Sequence, residues 1–483
     1  MSDTRVLDRL RAALPAQGLI TDRQAVRPFE TDGLTAIRER PWAVALPETV
    51  DQVRAVLRIC REGEVAVVTR GAGTGLSGGA RPLKDGVLLT LTKMRRIKEI
   101  DVDACTATVE PGITNLAISQ AVAEHGLFYA PDPSSQIACS IGGNVAENSG
   151  GVHCLKYGLT VHNVLGLRVE TYEGDELVLG GKGVDAPGVD LLYAIVGSEG
   201  MLGVVTEVTV KLLPLPVCKH VLLAAFDTVE TAGDAVGAII AEGIVPAGLE
   251  MMDNPAIRAA EDFAGAGYPR DAAAILLCEL DGTEEQVATD ALRVREALES
   301  RGAEVTSAAD AATQEQLWKG RKSAFPAMGR IAPDYYCMDG TIPRGELGRV
   351  LGDIARLADE YGLRVANVFH AGDGNLHPLI LFDANQPGEL ERAEALGGRI
   401  LSRCVQAGGT VTGEHGVGVE KLDAMCEQFD AAELAQFHRL KAAFDPAGLM
   451  NPGKAIPTLA RCSELGGMHV HGGKLPHPEL ERF

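Results

Sequence analysis

Apolar positions along the chain follow two regimes. From about Trp42 to Leu213, short β-branched runs alternate with glycine-dense polar loops; the runs lie at residues 65–69, 87–91, 107–109, 165–172 and 203–212. Runs of this length and composition predict strands. Helical spacing is strongest at residues 49–62 and 114–125. Strands this dense, with few helices between them, predict an α+β domain rather than a doubly wound sheet. Pro214, Leu215 and Pro216 then punctuate the chain. Beyond them an apolar strand at 274–280 precedes a helix at 283–298, where Thr283 and Gln286 form a capping-box pattern and Val287, Ala291, Val294 and Leu298 share a face. A second helix is expected at 387–407, with Ala393, Leu396, Ile400 and Cys404 on one face and Gly408 as its stop. This alternation predicts a second α+β unit, a cap over the first. The expected divisions are residues 1–215, 216–444 and a closing segment, 445–483, that opens with the turn-rich DPAGLMNPGK.

The strand at 65–69 runs straight into RGAGTGLSGG (70–79), a loop with five glycines. Glycine lets the backbone approach a ligand closely, and consecutive free N–H groups make an anion nest. Gly73, Gly75 and Gly78 fit the spacing GxGxxG. A dinucleotide fold of that type needs a helix to open in the loop. Pro82 and Gly86 interrupt any such helix, and the next strand starts too soon for a helical crossover. The unit reads strand, glycine loop, strand, and the expected anion is a cofactor diphosphate.

Two further segments resemble this loop in composition. PDPSSQIACSIGGNVAENSGG (131–151) has little to pack into a core, and GSEGMLG (197–203) leads into a strand. Backbone groups in such segments need partners. Three polar, glycine-dense loops in one domain point to a large shared ligand.

A net charge of −21 speaks against nucleic acid and against an anionic membrane surface as partners. The ten cysteines include no CxxC pair, which argues against an iron–sulfur cluster held by this chain alone. No apolar run approaches the ~20 residues of a membrane span, and the amphipathic, charged start lacks a secretory signal, so a cytoplasmic protein with reduced thiols is expected.

In the second half, an apolar strand at 365–369 ends at His370, and His377 opens the next strand at 378–382. A tight strand–loop–strand brings two imidazoles together at its base. Glu414 and His415 follow in a small glycine-flanked turn. Two histidines and a carboxylate suit a catalytic divalent metal, and zinc, iron and manganese all accept that set. Histidines at strand ends equally satisfy backbone groups without a metal, and the residues alone leave both readings open. Arg321, in WKGRK (318–322), can grip a carboxylate at two points or simply face solvent.

Taken in order, RGAGTGLSGG, PDPSSQIACSIGGNVAENSGG, GSEGMLG, HAGDGNLH (370–377), GEHGVG (413–418) and FDPAGLMNPGK (444–454) resemble the vanillyl-alcohol oxidase and p-cresol methylhydroxylase superfamily, in its branch of FAD-linked 2-hydroxyacid dehydrogenases. The likeness runs over nearly the whole chain, including the closing MHVHGGKLPHPELERF (468–483). It implies a two-part FAD-binding domain of the p-cresol methylhydroxylase type, an α+β cap carrying substrate and metal, and a C-terminal segment that returns to the FAD domain. By this resemblance Arg70, Gly71, Ala72, Gly73, Thr74, Gly75, Leu76 and Ser77 would cradle the FAD diphosphate. Pro131, Asp132, Ser134, Gly142, Gly143, Asn144, Asn148, Gly150 and Gly151 would wrap the isoalloxazine and ribityl parts. Glu199, Gly203 and Val205 would meet the adenosine end, and Asn451 would return to the flavin. His370, His377 and Glu414 match the metal positions, zinc before iron or manganese; His415 matches the general base and Arg321 the carboxylate clamp. No histidine lies in the diphosphate loop, so non-covalent FAD is expected, with His153 and Cys154 the nearest groups that could attach it. Relatives acting on larger dicarboxylates carry a lysine where this chain has Cys337; Tyr335, Tyr336 and Met338 flank it.

The expected reaction is oxidation of glycolate to the 2-oxo acid, with D-lactate as a second substrate, hydride passing to FAD and electrons to partners rather than to NAD. Relatives work beside a second flavin-type subunit and an iron–sulfur subunit, which would dock this chain peripherally at the inner membrane without insertion. The alternatives are a single-subunit dehydrogenase of D-lactate or another D-2-hydroxyacid, a zinc hydrolase built on the same His and Glu residues, and a non-catalytic FAD-binding scaffold.

Overall fold

The computed structural model describes residues 3–183, 188–308 and 310–458. Most of the expected 445–483 segment, including MHVHGGKLPHPELERF, lies outside the described residues. The first sheet contains β1 (Leu19–Ile20), β2 (Ala43–Ala45), β3 (Val67–Arg70) and β4 (Val87–Thr90), in the order β1-β2-β4-β3. Strands β3 and β4 pair in parallel, Val67 opposite Val87. Their connection therefore crosses the sheet end with no helix in it, and the whole crossover is glycine loop. The second sheet is antiparallel: β5 (Ile97–Asp101), β6 (Thr106–Val109), β8 (Val164–Glu170), β9 (Glu176–Gly180) and β10 (Val204–Lys211) lie in the order β5-β6-β10-β8-β9. A short pair joins β7 (Leu127–Phe128) to β11 (Leu213–Pro214).

The third sheet has seven strands: β12 (Cys218–Phe226), β13 (Gly248–Asp253), β14 (Ala274–Gly282), β15 (Glu304–Ala308), β16 (Asp334–Cys337), β17 (Arg364–His370) and β18 (Pro378–Phe382), ordered β15-β12-β14-β13-β17-β18-β16. Successive residues of β14 bury on opposite faces, Ala274, Leu276 and Cys278 on one and Ile275 and Leu277 on the other. That is why the strand reads as a continuous apolar run rather than an alternating one.

Expected elements recur with small shifts. The helix Val50–Glu62 is capped by Thr49, and Glu284–Glu299 by Thr283. The capping box at the latter is half formed: Thr283 accepts from the Gln286 N–H, but the Gln286 amide turns to Asp290. The helix Glu389–Gln406 buries Ala393, Leu396, Ile400 and Cys404. At the C-terminal end, Met450 bridges to Val67 and Asn451 donates its N–H to the Val67 carbonyl, so the chain returns to the free edge of β3.

Between the first half and the third sheet lies a polar contact. His153 Nδ1 meets Asp132 at 2.7 Å and Nε2 meets Glu279, on β14, at 3.2 Å. Lys156 and Tyr157 both bond Asp281 two residues on. Burial opposes a charge on His153, but Asp132 and Glu279 outweigh it and hold its pKa up at about 10. A group raised in the folded state stabilises fully below its unfolded pKa of about 6.5 and loses that contribution as pH rises through its folded value. His153→Gln should therefore cost about 1.5–3 kcal/mol at neutral pH, with the deficit shrinking as pH rises from about 6.5 and largely gone above about 10. Denaturant unfolding of both proteins across that range checks this; a deficit independent of pH would contradict it.

Candidate functional site

A cavity of 390 Å³ lies between the glycine loops and the third sheet, within the roughly 300–1,000 Å³ usual for ligand sites. Its wall includes Arg70, Gly71, Ala72, Gly73, Thr74, Gly75 and Leu76 from the β3–β4 crossover; Ser134, Gly142, Gly143 and Asn144; Glu199, Gly203 and Val205; and, at the far end, Arg321, His370, His377, Glu414 and His415. The diphosphate-type loop and the histidine–carboxylate group thus share one space, although they lie in different sheets and some 300 positions apart in the chain.

Seven of the expected contacts do not line this wall, and each has other work. Pro131 offers its carbonyl to Asn115, and Asp132 is committed to His153. Asn148 ends the helix Ile141–Glu147 in the left-handed region, φ 56°, and its side chain accepts from the Val161 N–H. Gly150 and Gly151 pack closely, a Cβ at the first standing 2.7 Å from Glu414 Oε2. The Ser77 carbonyl accepts from Val419 and Glu420, while Asn451 bonds the carbonyls of Gly79 and Glu199. His153, Cys154 and Cys337 also stand off the wall; Cys337 lies within 4.8 Å of His377 and His415 ligand atoms. Of the residues flanking Cys337, Tyr336 and Met338 are core, while Tyr335 is 39% exposed.

The crossover has the makings of an anion nest. Among the described residues, the backbone N–H groups of Ala72, Gly73, Thr74, Gly75 and Leu76 find no acceptor in the protein. Gly73 requires a positive φ, 75°. Gly75 does not, and a Cβ there would meet nothing nearer than Glu147 Oε1 at 3.8 Å. Packing within the protein does not demand glycine at 75; close approach by a ligand would.

At the other end the β17–β18 hairpin sets His370 and His377 with ring centroids 5.1 Å apart and planes at 86°. Both point Nε2 at Glu414 Oε1, at 3.3 and 3.0 Å. Their other nitrogens are engaged: His370 Nδ1 with Glu250 Oε1 at 2.8 Å, His377 Nδ1 with the Met338 carbonyl at 3.3 Å. That outer bonding to a carboxylate and a carbonyl is how metal-binding imidazoles are oriented, and the donor set fits a divalent cation. Burial opposes charge on both partners, yet Glu250 and Glu414 hold His370 well above its ordinary pKa, and the two imidazoles hold Glu414 well below its own. Arg321 is buried and salt-bridged at 2.6 Å to Glu250 Oε2, so one carboxylate links the arginine to His370. Its Nε and Nη2 make no aligned hydrogen bond. His415 stacks on His377, centroids 4.9 Å apart, and burial pushes its pKa down to about 4.

Glu250 and Asp339, which fix these groups, escaped sequence reading because their partners are remote in the chain. So did the wall residues Ser140, Ser198 and Phe325. Glu147 and Ser149, also on the wall, lie inside the glycine-dense stretch 142–151 expected to wrap the flavin, where Glu147 is the sole acidic residue between positions 133 and 152.

Comparison with known proteins places these features. Residues 41–180 match an FAD binding domain, and residues 215–455 match the C-terminal domain of FAD linked oxidases. The chain is 63% identical over 481 residues to the glycolate oxidase subunit GlcD of Escherichia coli (strain K12), covering 99% of this chain and 96% of that one. It is 33% identical over 441 residues to a D-lactate dehydrogenase of Archaeoglobus fulgidus, covering 90% and 96%. Among solved structures, p-cresol methylhydroxylase with substrate bound superposes with a TM-score of 0.79 at 19% identity, covering 95% of this chain and 97% of that one, which shows a common fold.

The nest and the glycine wall fit FAD. Gly75→Val should lower FAD per purified chain at least ~10-fold, the effect of about 1.4 kcal/mol, while far-ultraviolet circular dichroism stays as in the wild type. Full flavin content in that variant would refute close approach at this position.

Proposed function

This chain belongs to the FAD-linked oxidases, and we propose that it oxidises glycolate to glyoxylate, with D-lactate as a second substrate. The observation that carries the proposal is the single cavity with unpaired N–H donors at one end and a convergent histidine–carboxylate group at the other. FAD would be held without a covalent link, since neither His153 nor Cys154 reaches the wall. His370, His377 and Glu414 would hold a divalent cation, zinc before iron or manganese. When bound, the cation would acidify the α-hydroxyl and FAD would accept the hydride.

The chain supplies the remainder. Arg321 lines this end of the cavity and, oriented by the salt bridge of its Nη2 to Glu250, would grip the substrate carboxylate. His415 is neutral at physiological pH. Its Nδ1 is sealed in the protein without a partner, and its Nε2 stands 3.8 Å from Glu414 Oε1, outside hydrogen-bond reach. With the ring proton on Nδ1, Nε2 would offer its lone pair to the hydroxyl proton. Phe325, edge-on to His377 with centroids 6.2 Å apart, walls the same end and suits a small 2-hydroxy acid.

The E. coli relative is named as a subunit. We read this chain likewise as one member of a complex, passing electrons to a second flavin-type subunit and an iron–sulfur subunit. Among the described residues no helix is long and apolar enough to cross a membrane, so docking at the inner membrane would run through those partners. A D-lactate dehydrogenase acting alone is the second reading, favoured by the likeness to the archaeal enzyme.

His415→Ala should slow anaerobic flavin reduction by glycolate ~10²–10⁴-fold with FAD content unchanged; near-normal reduction would remove His415 from the role. Dialysis against a chelator should likewise suppress reduction, and readdition of zinc, iron or manganese in turn should restore it with one ion. Activity indifferent to chelation and to His377→Ala would exclude the metal.

A further inference from the structure

Glu147 ends the helix Ile141–Glu147 and lines the cavity. Its carboxyl lies alongside that of Glu199. A Cβ built on Gly79 would stand 2.7 Å from Glu147 Oε1 and 3.4 Å from Glu199 Oε2; one built on Gly416 would stand 2.1 Å from Glu147 Oε2 and 3.1 Å from Glu199 Oε1. The two side chains straddle the same pair of glycines.

Their partners differ. Glu199 accepts the N–H groups of Val417 and Gly418, both at 2.7 Å. Among the described residues, Glu147 Oε2 is buried with no hydrogen-bond partner. The cations nearby are otherwise engaged: Lys421 with Asp339 and the Gly416 carbonyl, Lys454 with the Gly79 and Arg81 carbonyls and Asn451, Arg70 with the Thr31 carbonyl. Two carboxyls this close, in a wall with no cation salt-bridged to Glu147, cannot both ionise cheaply. Burial raises Glu199 as well, but its two N–H donors oppose that rise, so of the pair Glu199 is the one better able to hold the charge.

We propose that Glu147 faces the cavity as a neutral carboxylic acid and donates a hydrogen bond to bound FAD. A protonated carboxyl can donate, whereas a carboxylate only accepts. FAD is anionic and rich in acceptor oxygens, so an ionised side chain here would oppose it and a neutral donor pairs with it. Burial, and after it Glu199 and Asp32, hold the Glu147 carboxyl well above the usual range, with Lys421 and Lys454 opposing. Pairs of carboxyls driven apart in this way are a general route to a neutral acid at physiological pH.

The inference rests on FAD occupying this cavity, so the first measurement is uptake of FAD by wild-type apoprotein; failure there removes the premise, separately from the role of Glu147. Apoproteins of the wild type, Glu147→Gln and Glu147→Ala are then titrated with FAD and their thermal midpoints recorded without FAD. Glutamine keeps an uncharged donor. It should bind FAD within about twofold of wild type, whereas alanine should bind ~10–100-fold more weakly, the loss of about 1.4–2.8 kcal/mol, with displaced flavin absorption bands and an unchanged apoprotein midpoint. Wild-type affinity and spectrum in the alanine variant would overturn the proposal. So would a glutamine variant as weak as alanine, since the charge and not the proton would then be the working feature.

Discussion

Residues 412–421 are held by two buried carboxylates, one from each half of the molecule. Asp339, just past β16, accepts the N–H groups of Gly413, Glu414 and His415 at 3.1, 3.2 and 2.9 Å, together with the Thr412 hydroxyl and Lys421 Nζ. Glu199, in the loop before β10, accepts those of Val417 and Gly418. Hydrogen bonds to a charged group are worth about 1.5–3 kcal/mol each, and a buried carboxylate stripped of its donors costs more than that. The turn cannot leave either carboxylate without stranding a charge. The turn that carries Glu414 and His415 is consequently tied to both halves of the molecule at once.

The two ends are complementary in what they lack. The glycine crossover has donors without acceptors, because a parallel connection made without a helix leaves its N–H groups outside any ladder. The hairpin end has imidazole and carboxylate groups converging on one point. One end suits an anion and the other a cation, and the chain's overall charge of −21 decides neither. Arg321 and His370 also draw on one carboxylate, Glu250, so the arginine and the metal-type group are coupled through a shared hydrogen-bonding partner.

Much of the architecture was legible in residue order. The apolar runs, the helix caps and the failure of GxGxxG to open a helix were all local matters, and Thr49, Thr283 and Pro82 signal them within a few positions. The placing of His370 and His377 at a hairpin base was also local. Less legible were the groups whose value depends on distant partners. Asp132 reads as part of a cofactor loop, yet it is spent on His153; Asn148 reads as a ligand contact, yet it caps a helix. Glu250 and Asp339 read as ordinary acids in apolar or turn-like surroundings.

By itself, then, the sequence determined the kinds of chemistry: a backbone loop with free donors, a histidine and carboxylate set, and an apolar frame to carry both. These follow from composition and spacing within a dozen residues, where covalent geometry limits the outcomes. Only the tertiary structure decided that Glu199 and Asp339 meet on one turn, that Glu147 and Glu199 share a wall, and that Arg321 reaches His370 through Glu250. Those pairings join residues on separate strands and loops, and a buried charge takes its state from whatever packing places beside it, which no local pattern records.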